Sequence, residues 1–400
     1  MIGEFLIAIF VGILSGIITG LIPGIHVNLA SILFFEILSN GSLNFDNNAL
    51  FVVVAISAMM STHIFIDNIP SMFLGAPDEG TSLNVLPGHR LLLNGNSLVG
   101  IESVVFGSLA SMILGVLLLP LLFVLLKFFY TFSKPFTPVI LIFISIVIIL
   151  SEKDNNLRFW SFFVFLLSGI LGFFTLRMPF LRQPLLPLLS GFFGISILLE
   201  SFFSKPYIPK QNYKVEFKIN PLSFVAGFFS GALTAIFPTI TSSIAAIFGK
   251  SVLKKTSEID FLNIVGSVNA SNIFLTTIFL LITGKARNGA LVVISKIVVL
   301  NLTTTLIIIS AILFSSGIAS LLCLKISKIF SRIISRIDYA MVSLAMIVFI
   351  SIVIIIFSGF LGFIIMIVSS SIGFFSQSLN VKRIVLMGCL IFPVLLNYLI

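Results

Sequence analysis

A stretch of 22 residues, Val11 to Ile32 (VGILSGIITGLIPGIHVNLASI), recurs 215 residues later as Ala226 to Ile247 (AGFFSGALTAIFPTITSSIAAI), with eight positions identical. The shared residues are Gly12/Gly227, Ser15/Ser230, Gly16/Gly231, Thr19/Thr234, Pro23/Pro238, Ile25/Ile240, Ala30/Ala245 and Ile32/Ile247. Small residues fall every fourth position in both copies (Gly12, Gly16, Gly20; Gly227, Gly231, Ala235), which lines one helical face and lets another backbone approach closely. Each copy then breaks at a proline. Gly24, His26 and Asn28 follow Pro23, and Thr239, Thr241, Ser242 and Ser243 follow Pro238, so polar groups sit where the apolar helix stops. Chance likeness between Ile- and Gly-rich helices is the bland alternative, but the small residues, the proline and the polar tail repeat in register.

Such a pair needs a bilayer around it. Of 400 residues 58% are hydrophobic and 9% charged, whereas a soluble domain carries about 25% charged residues. Runs of about twenty apolar residues predict an all-α polytopic membrane protein with roughly a dozen crossings. The net charge of +9 resides in short inter-helix loops, which points to membrane orientation and away from nucleic acid. Cys323 and Cys389 lie in or beside apolar segments and offer neither a disulfide framework nor metal-ligand spacing. The N-terminus, MIGEFLIAIFVG, lacks a basic region and a cleavage site, and reads as a retained first helix.

Apolar segments number seven on each side of a polar, basic linker at 204–220. Residues 1–203 are thus predicted to form a first transmembrane repeat, 204–220 a basic cytoplasmic linker and 221–400 a second repeat, in one integral transport domain. The ends of the halves also match, GFFTLRMPFLR (172–182) with GFFSQSLNVKR (373–383). An odd number of segments inverts the second half relative to the first, the plan of secondary transporters, with broken or re-entrant helices here at 20–28 and 235–243. Loops 76–96, 151–158, 204–220, 250–259, 323–337 and 378–383 fall on one side and hold sixteen Lys and Arg; those at 127–135, 177–183 and 285–287 hold six. The basic side is expected in the cytoplasm, with both termini extracytoplasmic at the plasma membrane. If 1–39 and 221–249 are re-entrant hairpins, that parity is unchanged.

Polar groups in apolar surroundings are costly, and are either functional or well paired. His63 and Asp67 stand at i and i+4, beside Asn68 and ahead of Pro70. The three could couple transport to a proton or sodium ion, or brace a proline kink. Asp78 and Glu79 form a candidate gate, although solvated loop acids are commoner. In the second half Asn269, Ser271, Asn272, Thr276 and Thr277 supply uncharged oxygens suited to a hard cation or to substrate, or to interhelical hydrogen bonds. Lys285 and Arg287 could attract an anion, but as flanking residues they read, with Arg177, Arg182, Lys382 and Arg383, as interfacial anchors.

LGAPDEGTSLNVLPGHRLLLNG (74–95), after a Gly-rich helix ending in LIPGI (21–25), resembles the TctA family, the large membrane subunit of tripartite tricarboxylate transporters. The likeness is to its archaeal branch, and SGFFGISILLES (190–201) is similar to the end of that family's first half. The resemblance implies a two-repeat permease for organic anions, fed in bacteria by a binding protein and accompanied by a small membrane subunit. The second repeat departs from the pattern at Pro238-Thr239, at SVNASN (267–272) and at LITGK (281–285). The tricarboxylate and both partner proteins therefore stay open.

The breaks suggest a mechanism. Pro23, Gly24, His26 and Asn28, with Pro238, Thr239, Thr241, Ser242 and Ser243, are the expected substrate site, where exposed backbone and a helix N-terminus meet a carboxylate. His63, Asp67, Asn68, Asn269 and Asn272 are the expected ion-coupling residues, using sodium or protons and no other cofactor. A homodimer is compatible with this plan. One rival is a polyprenyl-phosphate or other lipid-carrier translocase, since the same breaks could hold a lipid phosphate. The other, an intramembrane enzyme, lacks support: the chain has three histidines and no GxSxG or HExxH.

Overall fold

The computed structural model describes the chain apart from residues 1, 23–26, 28–29, 32–44, 78–79, 134–135, 182, 205–207, 214–217, 219, 238–239, 254, 337 and 400. The first half comprises α1 (Ile2–Leu21), α2 (Phe45–Ile66), α3 (Asn68–Leu74), α4 (Val85–Leu93), α5 (Ser97–Leu117), α6 (Leu119–Ser133), α7 (Thr137–Leu150), α8 (Asn155–Leu176), α9 (Leu185–Leu189) and α10 (Ser196–Ser204). A π-helical turn, Ser190–Ile195, joins the last two. The second half comprises α11 (Pro221–Ile236), α12 (Ser242–Val252), α13 (Glu258–Thr283), α14 (Gly289–Ile297), α15 (Leu302–Ile334), α16 (Tyr339–Ser378) and α17 (Gly388–Leu399). No strand occurs among the described residues.

Eight described stretches are long and apolar enough to cross a membrane. Their outer faces carry exposed Phe10, Phe159, Phe360 and Ile356, a surface that water would not tolerate over such an area. The protein is therefore a multi-pass helical membrane protein. One sequence segment ends well short of its helix. The basic stretch 323–337, expected as a loop, is helical through Ile334. The 33 residues of α15 span about 50 Å, against a hydrocarbon core of about 30 Å. Its end therefore leaves the bilayer with Lys325, Lys328 and Arg332 exposed and Cys323, Ser327 and Ser331 buried. As the separate apolar segments near 338–357 and 359–377 predict, α16 is not one long rod. Gly359 breaks it with φ 71° and ψ −175°, a conformation open to glycine. Ser351 Oγ then lies 3.8 Å from Met366 Sδ, so the two limbs lie side by side.

Glycine also sets the closest helix contact. α1 runs along α2 in the same direction, Gly12 against Ala55 and Met59, Gly16 against Met59 and Thr62, and Gly20 against Ile66 and Asp67. A methyl group on Gly16 would fall 2.6 Å from Thr62 Cβ and 2.8 Å from the Met59 carbonyl oxygen. α11 runs along α13 in the same way, with Gly227 against Ile264 and Ser267 and Gly231 against Val268 and Ser271.

The remaining large contacts are reciprocal between the halves. α5 follows α13, where Ser103 Oγ donates to the Ile259 carbonyl (2.7 Å) and Ser108 Oγ to that of Gly266 (3.0 Å). α15 follows α2, where Ser61 Oγ donates to the Ile312 carbonyl (3.0 Å) and Cys323 Sγ to that of Phe65 (3.1 Å). Gly172 of α8 packs on Cys389 of α17, and Gly373, its match in the second half, packs on Phe192 and Ser196.

Loop contacts gather the basic segments at one end. Arg90 Nη1 lies 2.9 Å from Glu258 Oε1, Asn212 N donates to the Gly95 carbonyl (2.7 Å), Arg332 stacks over Tyr213, and Lys382 N donates to Glu152 Oε1 (2.8 Å). At the other end Lys285 Nζ lies 3.1 Å from Tyr130 Oη, and Arg177 pairs with Asn397. α13 thus starts at the basic end, where α15 finishes. By their parallel contacts α1, α2 and α15 run toward that end, and α5, α11 and α13 run away from it.

Candidate functional site

The second break is a hairpin inside the protein. α11 stops at Ile236, and α12 doubles back so that Gly249 lies beside Ala226 and Ile264. Ser242 Oγ accepts a hydrogen bond from Asn272 Nδ2 (3.1 Å), which sets the turn near the middle of the 26-residue α13. Thr241 caps α12, its Oγ1 accepting from Ile244 N at 3.3 Å. Arg287 closes the opposite side of the turn. Its Nε and Nη2 donate to the carbonyls of Ala235 (3.0 Å) and Ile236 (3.1 Å), and the guanidinium lies 4.6 Å over the Phe279 ring. Those carbonyls end a helix and lack helical partners, so Arg287 is a helix cap within the fold and not the interfacial anchor its sequence position suggests.

The first half sends non-helical backbone to the same depth. α3 ends in Gly75 with φ 62°, Ala76 and Pro77 follow outside any helix, and a 3-10 turn spans Ser82–Asn84. Asn269 Nδ2 donates to the Gly80 carbonyl (3.1 Å), and Ser71 Oγ to that of Thr81 (3.0 Å). Ser82 Oγ lies 2.9 Å from Ser243 Oγ. Irregular backbone survives at membrane depth where protein surrounds it or a cavity bounds it. Both hold here, since the π-helical turn packs on the same loop, with Gly194 against Gly75 and Pro77. Such π turns recur at functional sites.

A second buried cluster occupies the junction of α2 and α3. His63 Nδ1 lies 3.1 Å from Thr19 Oγ1, and His63 Nε2 is 4.0 Å from Asp67 Oδ2. Asn68 Nδ2 donates to the Ile64 carbonyl (2.7 Å) and to Asp67 Oδ1 (3.2 Å), while Asn68 Oδ1 accepts from Asn84 Nδ2 (2.7 Å). The amide of Asn68 thus braces the bend. Through Asn84 and Ser82, on one turn, this cluster connects to Ser243. Pro23, Gly24, His26, Asn28, Asp78, Glu79, Pro238 and Thr239 lie outside the described residues. No group of three His, Cys, Asp or Glu able to hold a metal occurs among the described residues.

A cavity of about 720 Å³ leads from the basic end down to this junction. Ser82, Leu83 and Phe193 form its floor side, and Arg90, Lys250 and Lys382 its rim. His89 in its wall is buried, which pushes the imidazole down to about 4; a hydrogen bond with the Met72 backbone opposes the shift and the Arg383 charge adds to it. Arg383 is also buried, against the expectation of an exposed anchor. Nothing in the sequence distinguishes it from its neighbour Lys382. Ser82 and Asn84 carry no distinguishing sequence signal either, although both lie within the LGAPDEGTSLNVLPGHR motif.

Residues 6–388 match the family described as the tripartite tricarboxylate transporter TctA family. The chain belongs to the TctA family. It is also 32% identical to an uncharacterised protein of Methanocaldococcus jannaschii, over 98% of this chain and 99% of that one. No solved structure matches it significantly. The motif that carries the resemblance contains Gly80 and Ser82, which in this chain lie against Asn269 and Ser243 of the second half. Membership makes the protein a membrane transporter, in keeping with its apolar spans and its polar, half-depth junction.

Proposed function

We propose that this TctA-family protein is a permease that moves a small organic anion, of di- or tricarboxylate kind, through the junction of its two halves. One observation carries the reading: the hairpin turn of the second half and the inserted loop of the first meet through Ser82 and Ser243, under a cavity open to the basic end. A substrate there faces hydroxyl and amide groups in a site shielded from lipid. Transport is coupled to sodium or protons, through His63, Asp67 and Asn68 or through Asn269 and Asn272. The two halves, 1–203 and 221–400, act as inverted repeats about the linker 204–220; the reciprocal packing and opposed helix directions support this. The basic end faces the cytoplasm, and both termini lie outside. The protein acts without enzymatic chemistry.

The test is uptake into proteoliposomes of radiolabelled citrate, succinate and lactate under an imposed sodium or proton gradient. Accumulation that collapses with ionophore is expected. If none of the three is accumulated under either gradient, the anion-symport reading fails.

A further inference from the structure

We propose that Arg383 is the counter-charge of an organic-anion subsite in the wall of the cavity, one step nearer the basic end than the Ser82–Ser243 contact. The subsite rests on the permease reading and adds to it a specific recognition residue. Arg383 opens the 3-10 turn Arg383–Met387 of the second half and is 91% buried, its side chain among the cavity-lining groups. Its Nη1 donates to Ser196 Oγ (3.1 Å), and Nη2 to Gln377 Oε1. Both partners are neutral. Among the described residues the carboxylate within ion-pair distance is Glu200, whose Oε2 lies 3.9 Å away on a side chain that is 49% exposed. A buried cation held by two neutral oxygens and one distant, half-solvated acid has its charge only partly compensated.

The surroundings add to that excess. Arg90 is matched by Glu258, but Lys250 and Lys382 bring further positive charge to the rim, where Lys250 Nζ lies 4.9 Å over the Phe261 ring. The guanidinium is planar and offers several donors in a fixed fork, suited to a carboxylate, whereas an ammonium group is not so shaped. The volume of about 720 Å³ falls within the range of about 300–1,000 Å³ common for small-molecule sites. Ser196 belongs to the first half and Arg383 to the second, so an anion here would also bridge the halves. The class of ligand is a water-soluble mono-, di- or tricarboxylate.

The experiment reads binding without transport. Leu86, partly buried in the cavity wall, is changed to cysteine; the native Cys323 and Cys389 are both buried. Alkylation of Leu86→Cys by a neutral, water-soluble maleimide is followed in detergent at constant ionic strength. Citrate, succinate and lactate are tested as protectants, with the neutral ester triethyl citrate and with phosphatidylglycerol micelles. At least one carboxylate should slow labelling several-fold while the ester does not. Arg383→Gln should raise the half-protecting concentration at least tenfold, with Arg383→Lys in between. No protection by any of the three acids while Arg383 is intact overturns the subsite, whatever becomes of the Gln variant. So does an unchanged half-protecting concentration in Arg383→Gln, or protection by phosphatidylglycerol alone. Gradient-driven uptake is measured separately. Uptake without protection removes the subsite and leaves the permease, and protection without uptake does the reverse.

Discussion

Ser82 Oγ and Ser243 Oγ, 161 residues apart in sequence, lie 2.9 Å from each other and tie the inserted loop of one half to the hairpin of the other. In membrane bundles such a hydrogen bond contributes about 0.6 kcal/mol. Its loss should barely move the melting temperature. Because it lies at the floor of the cavity, Ser82→Ala and Ser243→Ala should each lower uptake at least fivefold, and the double variant should be no worse than the poorer single. Additive losses in proteoliposome uptake would mean that the two hydroxyls act separately.

The glycine stripes predict a contrast in stability. Gly16 and Gly231 have no room for a side chain, since a methyl group at Gly16 would press on Thr62 and Met59 and one at Gly231 on Ser271. Gly16→Val and Gly231→Val should each cost about 1–3 kcal/mol or more by overpacking. Gly317, on the exposed side of α15, has nothing within 4 Å. Gly317→Ala should be neutral or stabilising by up to about 1 kcal/mol, because alanine is the better helix former. Thermal unfolding followed by size-exclusion fluorescence would separate the two outcomes.

The legible parts of the fold were those written as periodicity. Apolar runs gave the class, the four-residue glycine spacing gave the face of α1 that packs on α2, and the shared Gly172 and Gly373 lie at equivalent contacts. The segment boundary near 358 anticipated the turn at Gly359, since a glycine between two apolar runs is a local signal. What the sequence left hidden was depth and direction of side chains. The polar stretch 75–84 reads like solvent-exposed chain, because composition does not reveal that Asn269 and Ser71 will satisfy the carbonyls of Gly80 and Thr81 inside the protein. Arg287 and Arg383 read like any flanking cation, because the carbonyls of Ala235 and Ile236, or the oxygens of Ser196 and Gln377, come from residues far along the chain. Charges on the exposed face of a helix that outruns the bilayer look the same as a loop, which is why 323–334 reads as one.

Histidine 89 makes stability depend on pH. Burial lowers its folded-state value to about 4, and the unfolded chain titrates near 6.5. Between those values the unfolded state takes up a proton that the folded state refuses, so stability falls as pH falls through that window. The full span amounts to roughly 3 kcal/mol, and above about pH 7 the group contributes no slope. Melting temperatures in detergent should fall from pH 6.5 toward 4.5, and His89→Gln should flatten that part of the curve. A parallel curve for the variant would assign the acid sensitivity to other groups.

Arg287 is the last prediction, and the most specific to the hairpin. Its guanidinium reaches two consecutive carbonyls, Ala235 and Ile236, and lies over Phe279, so one side chain holds both the end of α11 and its position against α13. Arg287→Gln leaves at least one terminal carbonyl without a donor, at about 1–3 kcal/mol. Lysine keeps the charge but replaces the planar, stacking group and its fork of donors by a single ammonium. Arg287→Lys should therefore resemble Arg287→Gln in melting temperature more than it resembles the parent. The turn that Arg287 fixes also carries Ser242 and Ser243, so both variants should lose uptake beyond what their lower stability explains at a temperature where they remain folded. If Arg287→Lys melts and transports like the parent, the charge alone suffices and the two-carbonyl cap is not what positions the turn.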